Sequence, residues 1–314
     1  MVKTIVSEGL PVDERLIIQK NIIQGKKKGD KRICIVTGTH GDELEGQYVC
    51  FELNRLLNEN LQHLKGSVEI YPALNPLGID SVKRGIPTFD LDMNRIFPGE
   101  EGGHLIEHIV YQITEDLKGA DMVIDIHASN IFLREMPQVR ISVEMAEKLV
   151  PYAQMLNIDF IWVHDAATVL QSTLSHSLNM QNTPTLVVEM GIGMRITRKY
   201  GDRLIEGIFN MMHQMDMWDG PIVDKVTDPE VSTNGEVCFL NADASGIILP
   251  NVSHSVNVKK GDLLCKIVDP LEGKVLQEIN SPVDGIVFTL RTYPVVYEGS
   301  LVARIFSTKN CKEL

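Results

Sequence analysis

Positive charge is in short supply in this chain. Thirty Lys and Arg stand against 42 Asp and Glu, a formal net charge of −12. So acidic a surface is not a general platform for nucleic acid, although single arginines in a site can still bind an anion. Long apolar runs are also missing, and none approaches the ~20 residues of a membrane span. The opening MVKTIVSEGL has no basic segment leading into an apolar core, so no signal peptide is expected. The five cysteines (Cys34, Cys50, Cys238, Cys265 and Cys311) lack the paired spacing of a zinc knuckle or a disulfide framework, which points to a reducing cytoplasm. There is no glycine-rich phosphate loop and no G-x-S-x-G nucleophile elbow. Nucleotide-dependent and serine-hydrolase chemistry therefore have no foothold.

What remains is the composition of a soluble globular protein, 44% hydrophobic and 23% charged over 314 residues. That length suits one large domain or two ordinary ones, with a core that needs no staple. Residues 1–30 read as a leader with an edge strand or two, and GKKKGDKR (25–32) as a solvated charged turn. From there to about residue 217, short β-rich runs alternate with helical periodicity. RICIVTG, SVEIYPALNP, DMVIDIH, FIWVH and TPTLVVEMG are the strands. LEGQYVCFELNRLLNEN, HLIEHIVYQITEDLKG, SVEMAEKLVPYAQML and TRKYGDRLIEGIFNMMHQMDMW are the helices. Such alternation predicts an α/β domain with a mainly parallel, mixed sheet flanked by helices, over residues 1–220. Residues 221–314 are different, with short strands, glycine turns and an internal repeat. SGIILPNV (245–252) resembles DGIVFTLR (284–291), and VKKGDLLCKI (258–267) resembles VYEGSLVARI (296–305). Two matched halves predict a small all-β unit with pseudo-symmetry.

Ligands of open α/β sheets gather beyond the carboxyl ends of the strands, so the residues following each apolar run carry the functional signal. ICIVTG leads into T-H-G-D-E, MVIDI into His127, and TLVV into Glu189. The loop after EIYPALNP carries Arg84 and then D-L-D-M-N-R, with Asn94 and Arg95. His40 and Glu43, three apart in one turn, join His127 to make two imidazoles and a carboxylate, the kind of set that holds one catalytic zinc and leaves a position for water. Glu189 is the candidate carboxylate to take a proton from that water and pass it to a leaving amine. Arg84, Asn94 and Arg95 are candidates to hold an oxyanion and a substrate carboxylate, because a guanidinium fork pairs with a carboxylate through two bonds. An H-x-x-E spacing alone is weak: His104 and Glu107 repeat it without a preceding strand and read as a helix N-terminal turn. Asp125 reads either as the partner of a ligand histidine or as a cap on the next turn, and Asp42 fits either role. Arg134, Arg140 and Arg195 read as pocket-lining residues or as structural arginines.

Taken in order, G-T-H-G-D-E-x-x-G, N-P-x-G, an arginine, D-L-D-x-N-R-x-F-P-G, D-x-H and V-V-E-x-G resemble the succinylglutamate desuccinylase/aspartoacylase family, over about residues 30–310. That resemblance implies a zinc carboxypeptidase-like α/β fold and one zinc per chain on His40, Glu43 and His127. It implies Glu189 as the catalytic carboxylate, assisting a zinc-bound water, and Arg84 as the group polarising the scissile carbonyl. Asn94 and Arg95 would grip the substrate carboxylate. A tyrosine from the C-terminal β-domain, Tyr297 or else Tyr293, would reach the site, unless both simply pack in the β-unit. The reaction implied is hydrolysis of the amide of a small N-acyl amino acid or related compound, with neither nucleic acid nor membrane as partner and a homo-oligomer left open. A zinc carboxypeptidase acting on short peptides is the near alternative. A non-catalytic or carrier module is the distant one, because K-K-G-D-L-L and S-P-V-D-G-I-V resemble a biotinyl/lipoyl-type barrel-sandwich with Lys274 at the carrier position.

Overall fold

The computed structural model describes residues 1–165, 171–223, 228–233 and 236–307. In the first part, the strands are β1 (Val2–Gly9), β2 (Arg15–Gln24), β3 (Lys27–Thr37), β4 (Lys65–Tyr71), β5 (Met122–His127), β6 (Leu133–Ser142), β7 (Phe160–His164) and β8 (Thr185–Gly191). The helices are α1 (Glu45–Glu59), α2 (Pro76–Ser81), α3 (Leu105–Leu117), α4 (Ala146–Ala153), α5 (Leu174–Met180) and α6 (Arg198–Gln214). The remainder is all strand: β9 (Glu230–Ser232), β10 (Val237–Asn241), β11 (Gly246–Pro250), β12 (Val256–Val258), β13 (Leu263–Asp269), β14 (Lys274–Asn280), β15 (Gly285–Arg291), β16 (Val295–Val296) and β17 (Leu301–Phe306).

A 13-stranded mixed sheet dominates, in the order β1-β2-β4-β3-β5-β8-β6-β15-β17-β10, with β12 on β15, β7 on β6 and β9 on β7. It is parallel at its centre, where β4, β3, β5 and β8 run together, and antiparallel toward both ends. Alternate residues of a central strand feed opposite faces. Ile33 and Ile35 of β3 enter the core under α1, α4 and α6, whereas Cys34 and Val36 enter the core under α3 and α5. On α1 the buried Val49, Leu53 and Leu57 lie four apart on one face, each contributing about 1.5–3 kcal/mol of burial.

The charged segment 25–32 is not a simple turn. Lys27 pairs with Lys65, and the ladder shifts before Arg32 meets Ser67, so solvated lysines ride on the start of β3. The other unexpected element is β6. Arg134, Glu135, Pro137 and Arg140 hid it as a strand, yet most of it is buried, and the register slips between Glu135 and Gln138 where the proline falls.

The repeat corresponds to two antiparallel strand pairs, β11 with β13 in a separate four-stranded sheet (β14-β13-β11-β16) and β15 with β17 in the large one. Its equivalent turns use Gly261 at φ +94° and Gly299 at φ +80°, a region closed to most side chains. The second half is not separate from the first, for Thr289, Leu290 and Arg291 of β15 pair with Glu135, Arg134 and Leu133 of β6. Lys274 opens β14 in an ion pair with Glu272. Cys34, Cys50 and Cys265 are free and buried, whereas Cys238 is disulfide-bonded, which the scattered spacing gave no sign of. No helix among the described residues is long and apolar enough to cross a membrane.

Candidate metal centre and catalytic cavity

The parallel strands β3, β5 and β8 end at one edge, and His127 on β5 stands in register with Glu189 on β8. The turn after β3 brings His40 and Glu43 to the same place. Gly41 is required there, because a Cβ would lie 1.9 Å from the Gly78 carbonyl carbon at the start of α2. The Asp42 carbonyl accepts from the Met194 N–H at 2.7 Å, tying this turn to the segment after Glu189. Burial and the neighbouring Glu43 raise the pKa of the Asp42 side chain.

His40, Glu43 and His127 form a buried cluster whose ligand atoms lie within 4.8 Å of one another. Nδ1 of His40 is 2.7 Å from Glu43 Oε1, and Nδ1 of His127 is 2.9 Å from Glu43 Oε2. The outer nitrogens are held by carboxylates, His40 Nε2 at 3.1 Å from Asp92 and His127 Nε2 at 3.1 Å from Asp125. Burial opposes charge on both imidazoles, but Glu43 with Asp92 overrides it at His40, and Asp125 with Glu43 overrides it at His127, so both pKa values are raised. Burial likewise pushes Glu43 up, and the two histidines override it, holding its carboxyl below the usual range. These donors fit a divalent cation. Carboxylates at the outer nitrogens fix each Nε2–H and leave Nδ1 as the lone-pair donor. A 2+ ion replacing the two Nδ1 protons would preserve the charge of the site.

The cluster opens on a cavity of about 690 Å³, whose wall also includes Arg84, Asn94, Arg95 and Glu189. Arg84 reaches Glu43 at 2.9 Å and Asp92 at 3.3 Å. Asn94 accepts the Leu174 N–H at the start of α5, which pins its turn. Arg95 bonds the Asn94 carbonyl at 2.7 Å and has no carboxylate partner among the described residues. Glu189 is 3.2 Å from Arg140. Burial raises its pKa against the lowering effect of Arg140, and Glu43 adds to the rise.

A model of the succinylglutamate desuccinylase/aspartoacylase catalytic domain matches residues 29–215. The chain belongs to this family. A curated relative, the N-alpha-acetyl-L-2,4-diaminobutyric acid deacetylase of Halomonas elongata, is 25% identical over 296 residues, covering 89% of this chain and 83% of the relative. Two solved structures share the fold. The succinylglutamate desuccinylase/aspartoacylase from Rhodobacter sphaeroides has a TM-score of 0.83 at 21% identity, with 98% and 96% of the two chains covered. The product-bound ectoine utilization protein EutE (DoeB) from Ruegeria pomeroyi has a TM-score of 0.81 at 19% identity, with 96% and 93% covered.

Of the eight site residues expected from the sequence of this family member, seven line the one cavity. Tyr297 does not, being 68% exposed at the corner of the Gly299 turn. Tyr293 meets the cavity only indirectly, edge-on to Phe132 at 5.2 Å. Sequence reasoning did not reach Asp92, Glu135, Trp162 or Arg304, and it left Arg140 undecided. Asp92 had a signal, standing two residues before Asn94 in the same turn and capping it. Arg304 had none, because β17 lies far along the chain. His104 and Glu107 form a helix N-terminus, where Glu107 accepts the His104 N–H at 2.8 Å.

Proposed function

We propose that the protein is a zinc-dependent deacylase that hydrolyses the amide of a small N-acyl amino acid or related N-acyl compound, giving a carboxylic acid and a free amine. The observation that carries the reading is the buried His40–Glu43–His127 set, braced by Asp92 and Asp125, in a cavity shared with Glu189 and Arg95. Family membership and the relative's deacetylase activity support amide hydrolysis. Zinc on these three residues would supply a Lewis acid that acidifies water and polarises a carbonyl.

The chain's own residues do the rest. Arg95, which has no carboxylate partner among the described residues, takes the substrate carboxylate, with Asn94 beside it. Arg84 stands next to Glu43 and stabilises the oxyanion that develops at the acyl carbon. Glu189 has Oε1 on Arg140, so Oε2 takes the proton of the attacking water and delivers it to the leaving nitrogen. We read the α/β part, residues 1–220, as zinc carboxypeptidase-like, and residues 221–314 as a barrel-sandwich unit. The second reading is supported by the pairing of the two repeats.

The test is a hydrolysis screen of N-acetyl and N-succinyl amino acids and N-acylated diamines, with short peptides alongside and zinc added. Glu189→Gln should keep zinc and lose about 10²–10⁴-fold in turnover. Unchanged turnover would remove Glu189 from the mechanism, and activity on peptides alone would replace the deacylase with a carboxypeptidase.

A further inference from the structure

We infer that the C-terminal sheet takes part in catalysis: Arg304 on β17 holds Glu189 in its working position through Glu135 and Arg140, so that both arginines are positioning residues. The inference rests on the reading of Glu189 as the proton carrier.

Glu135 is the hub. It is 1% exposed and sits on β6 between β8 and β15. Its Oε1 accepts from Arg304 Nη1 at 3.0 Å, Arg140 Nη2 at 3.2 Å and the Ser129 hydroxyl at 3.4 Å. Its Oε2 accepts from Gln138 Nε2 at 2.7 Å and from the Thr289 hydroxyl on β15. The other terminal nitrogen of Arg140, Nη1, lies 3.2 Å from Glu189 Oε1. Gln138 stands directly across from Glu189 in the β6–β8 register. One guanidinium thus spans two carboxylates through its two terminal nitrogens, a fixed separation that the single point charge of a lysine ammonium does not reproduce.

Charge explains why a second arginine is needed. Two carboxylates and two guanidiniums make a neutral group. Without Arg304, the more deeply buried Glu135 would draw Arg140 to itself, because an uncompensated buried carboxylate is costly. Glu189 would then lose its anchor. Both guanidiniums also lie against Trp162, Arg140 at 5.6 Å and Arg304 at 5.4 Å from the ring centroid, and Arg304 lies 5.6 Å from Phe239. These contacts restrict the rotamers of the relay.

A simpler role for the same bonds is to fasten β15 and β17 to β6. Kinetics separate the two roles. With the N-acyl amino acid turned over best in the screen, Arg140→Lys and Arg304→Gln should each lower kcat about 10- to 100-fold while KM stays within about two-fold, because only the geometry of the proton carrier is disturbed. Arg304→Lys should recover most of the loss. The Arg140→Lys, Arg304→Gln double variant should be little worse than Arg140→Lys alone, because links in series do not add. Should Arg304→Gln not fold, Glu135→Gln with Arg304→Gln removes the buried charge together with its partner; no carboxylate is then left to draw Arg140 from Glu189, so kcat should stay within about three-fold of the unmodified protein, and a 10- to 100-fold loss there would overturn the inference. A raised KM with kcat preserved would make the arginines substrate contacts and overturn the inference. So would a lowered Tm with unchanged kcat per folded molecule. Glu189→Gln keeps the two readings apart. Full turnover in that variant ends the proton-carrier reading, whereas lost turnover beside unaffected arginine variants ends only the relay.

Discussion

Replacing Asp125 by Asn tests whether the carboxylates behind the histidines belong to the metal centre. Asp125 is 1% exposed, and its Oδ2 faces His127 Nε2 at 3.1 Å, while Oδ1 is buried and has no hydrogen-bond partner among the described residues. An asparagine can keep an oxygen toward the imidazole, but its amide then fills the Oδ1 position with unpartnered donors. Turned the other way, it offers N–H to Nε2 and selects the wrong tautomer, in which Nδ1 carries the proton. Either arrangement weakens the ligand. Loss of such a partner typically costs 10- to 100-fold in metal affinity, or about 1.4–2.7 kcal/mol. Asp92→Asn should cost less, because Asp92 is a quarter exposed and Arg84 and the Asn94 N–H already share it. The pH dependence has a definite sign. The carboxylates raise the pKa of His127 in the metal-free protein, so protons compete with metal until pH passes that raised value. Removing the Asp125 charge relieves some of this competition, which offsets part of the loss at low pH. The deficit of Asp125→Asn should therefore widen as pH rises. Titration of zinc against a chromophoric chelator at two pH values measures it. An affinity within about two-fold of the unmodified protein at both values, or a larger loss from Asp92→Asn, would refute the reasoning.

Three other outcomes are expected. Arg95→Lys should raise KM for a carboxylate-bearing substrate about 10-fold with kcat little changed, since a point charge replaces a two-bond fork, and an unchanged KM in steady-state kinetics would exclude the contact. Lys20 is 3% exposed and bonds Glu69 at 2.8 Å and Asp116 at 2.6 Å, so Lys20→Met should cost about 3–5 kcal/mol by leaving two acids to the single nearby guanidinium of Arg32, on Glu69, and the hydroxyl of Tyr71, read as a fall in the urea midpoint. A midpoint that does not move would mean water already serves those acids. Burial pushes the thiols of Cys34 and Cys50 up to about 12 and that of Cys265 up to about 11, so none should react with a disulfide reagent at pH 8 until denaturant is added. Fast labelling of any of the three in the native protein would contradict this.

The convergence of His40, Glu43, His127 and Glu189 on one cavity was legible in the sequence because each follows an apolar run closely. In an α/β sheet, chain order and spatial convergence then coincide at the strand ends. The Arg84 and Asn94–Arg95 loop was legible for the same reason. β6 was not. Its charges look like those of a loop until Arg140 and Arg304 neutralise Glu135, and that compensation comes from 169 residues away in the case of Arg304. The same distance concealed the continuity of the two halves. The repeat pointed to a β-rich stretch of two matched halves, and its segments form two antiparallel strand pairs, but nothing local records that β15 adds to β6. Tyr297 shows the opposite failure. A resemblance suggested a role for it, and a two-strand turn directs the residue to solvent instead.

The β6–β15 seam also sets a hazard during synthesis. When residues 133–135 leave the ribosome, neither edge of that strand has its partner; Gly191 of β8 follows within 56 residues, but Thr289 is still 154 residues away. At ~5–20 residues per second, the edge facing β15 waits roughly ten to thirty seconds with its peptide groups unpaired. Over the same interval Glu135 has neither Arg304 nor Thr289 to cover it. A charge pointing from an open strand edge is one of the devices by which proteins discourage wrong pairing. The acid that fastens the finished sheet thus guards the unfinished one.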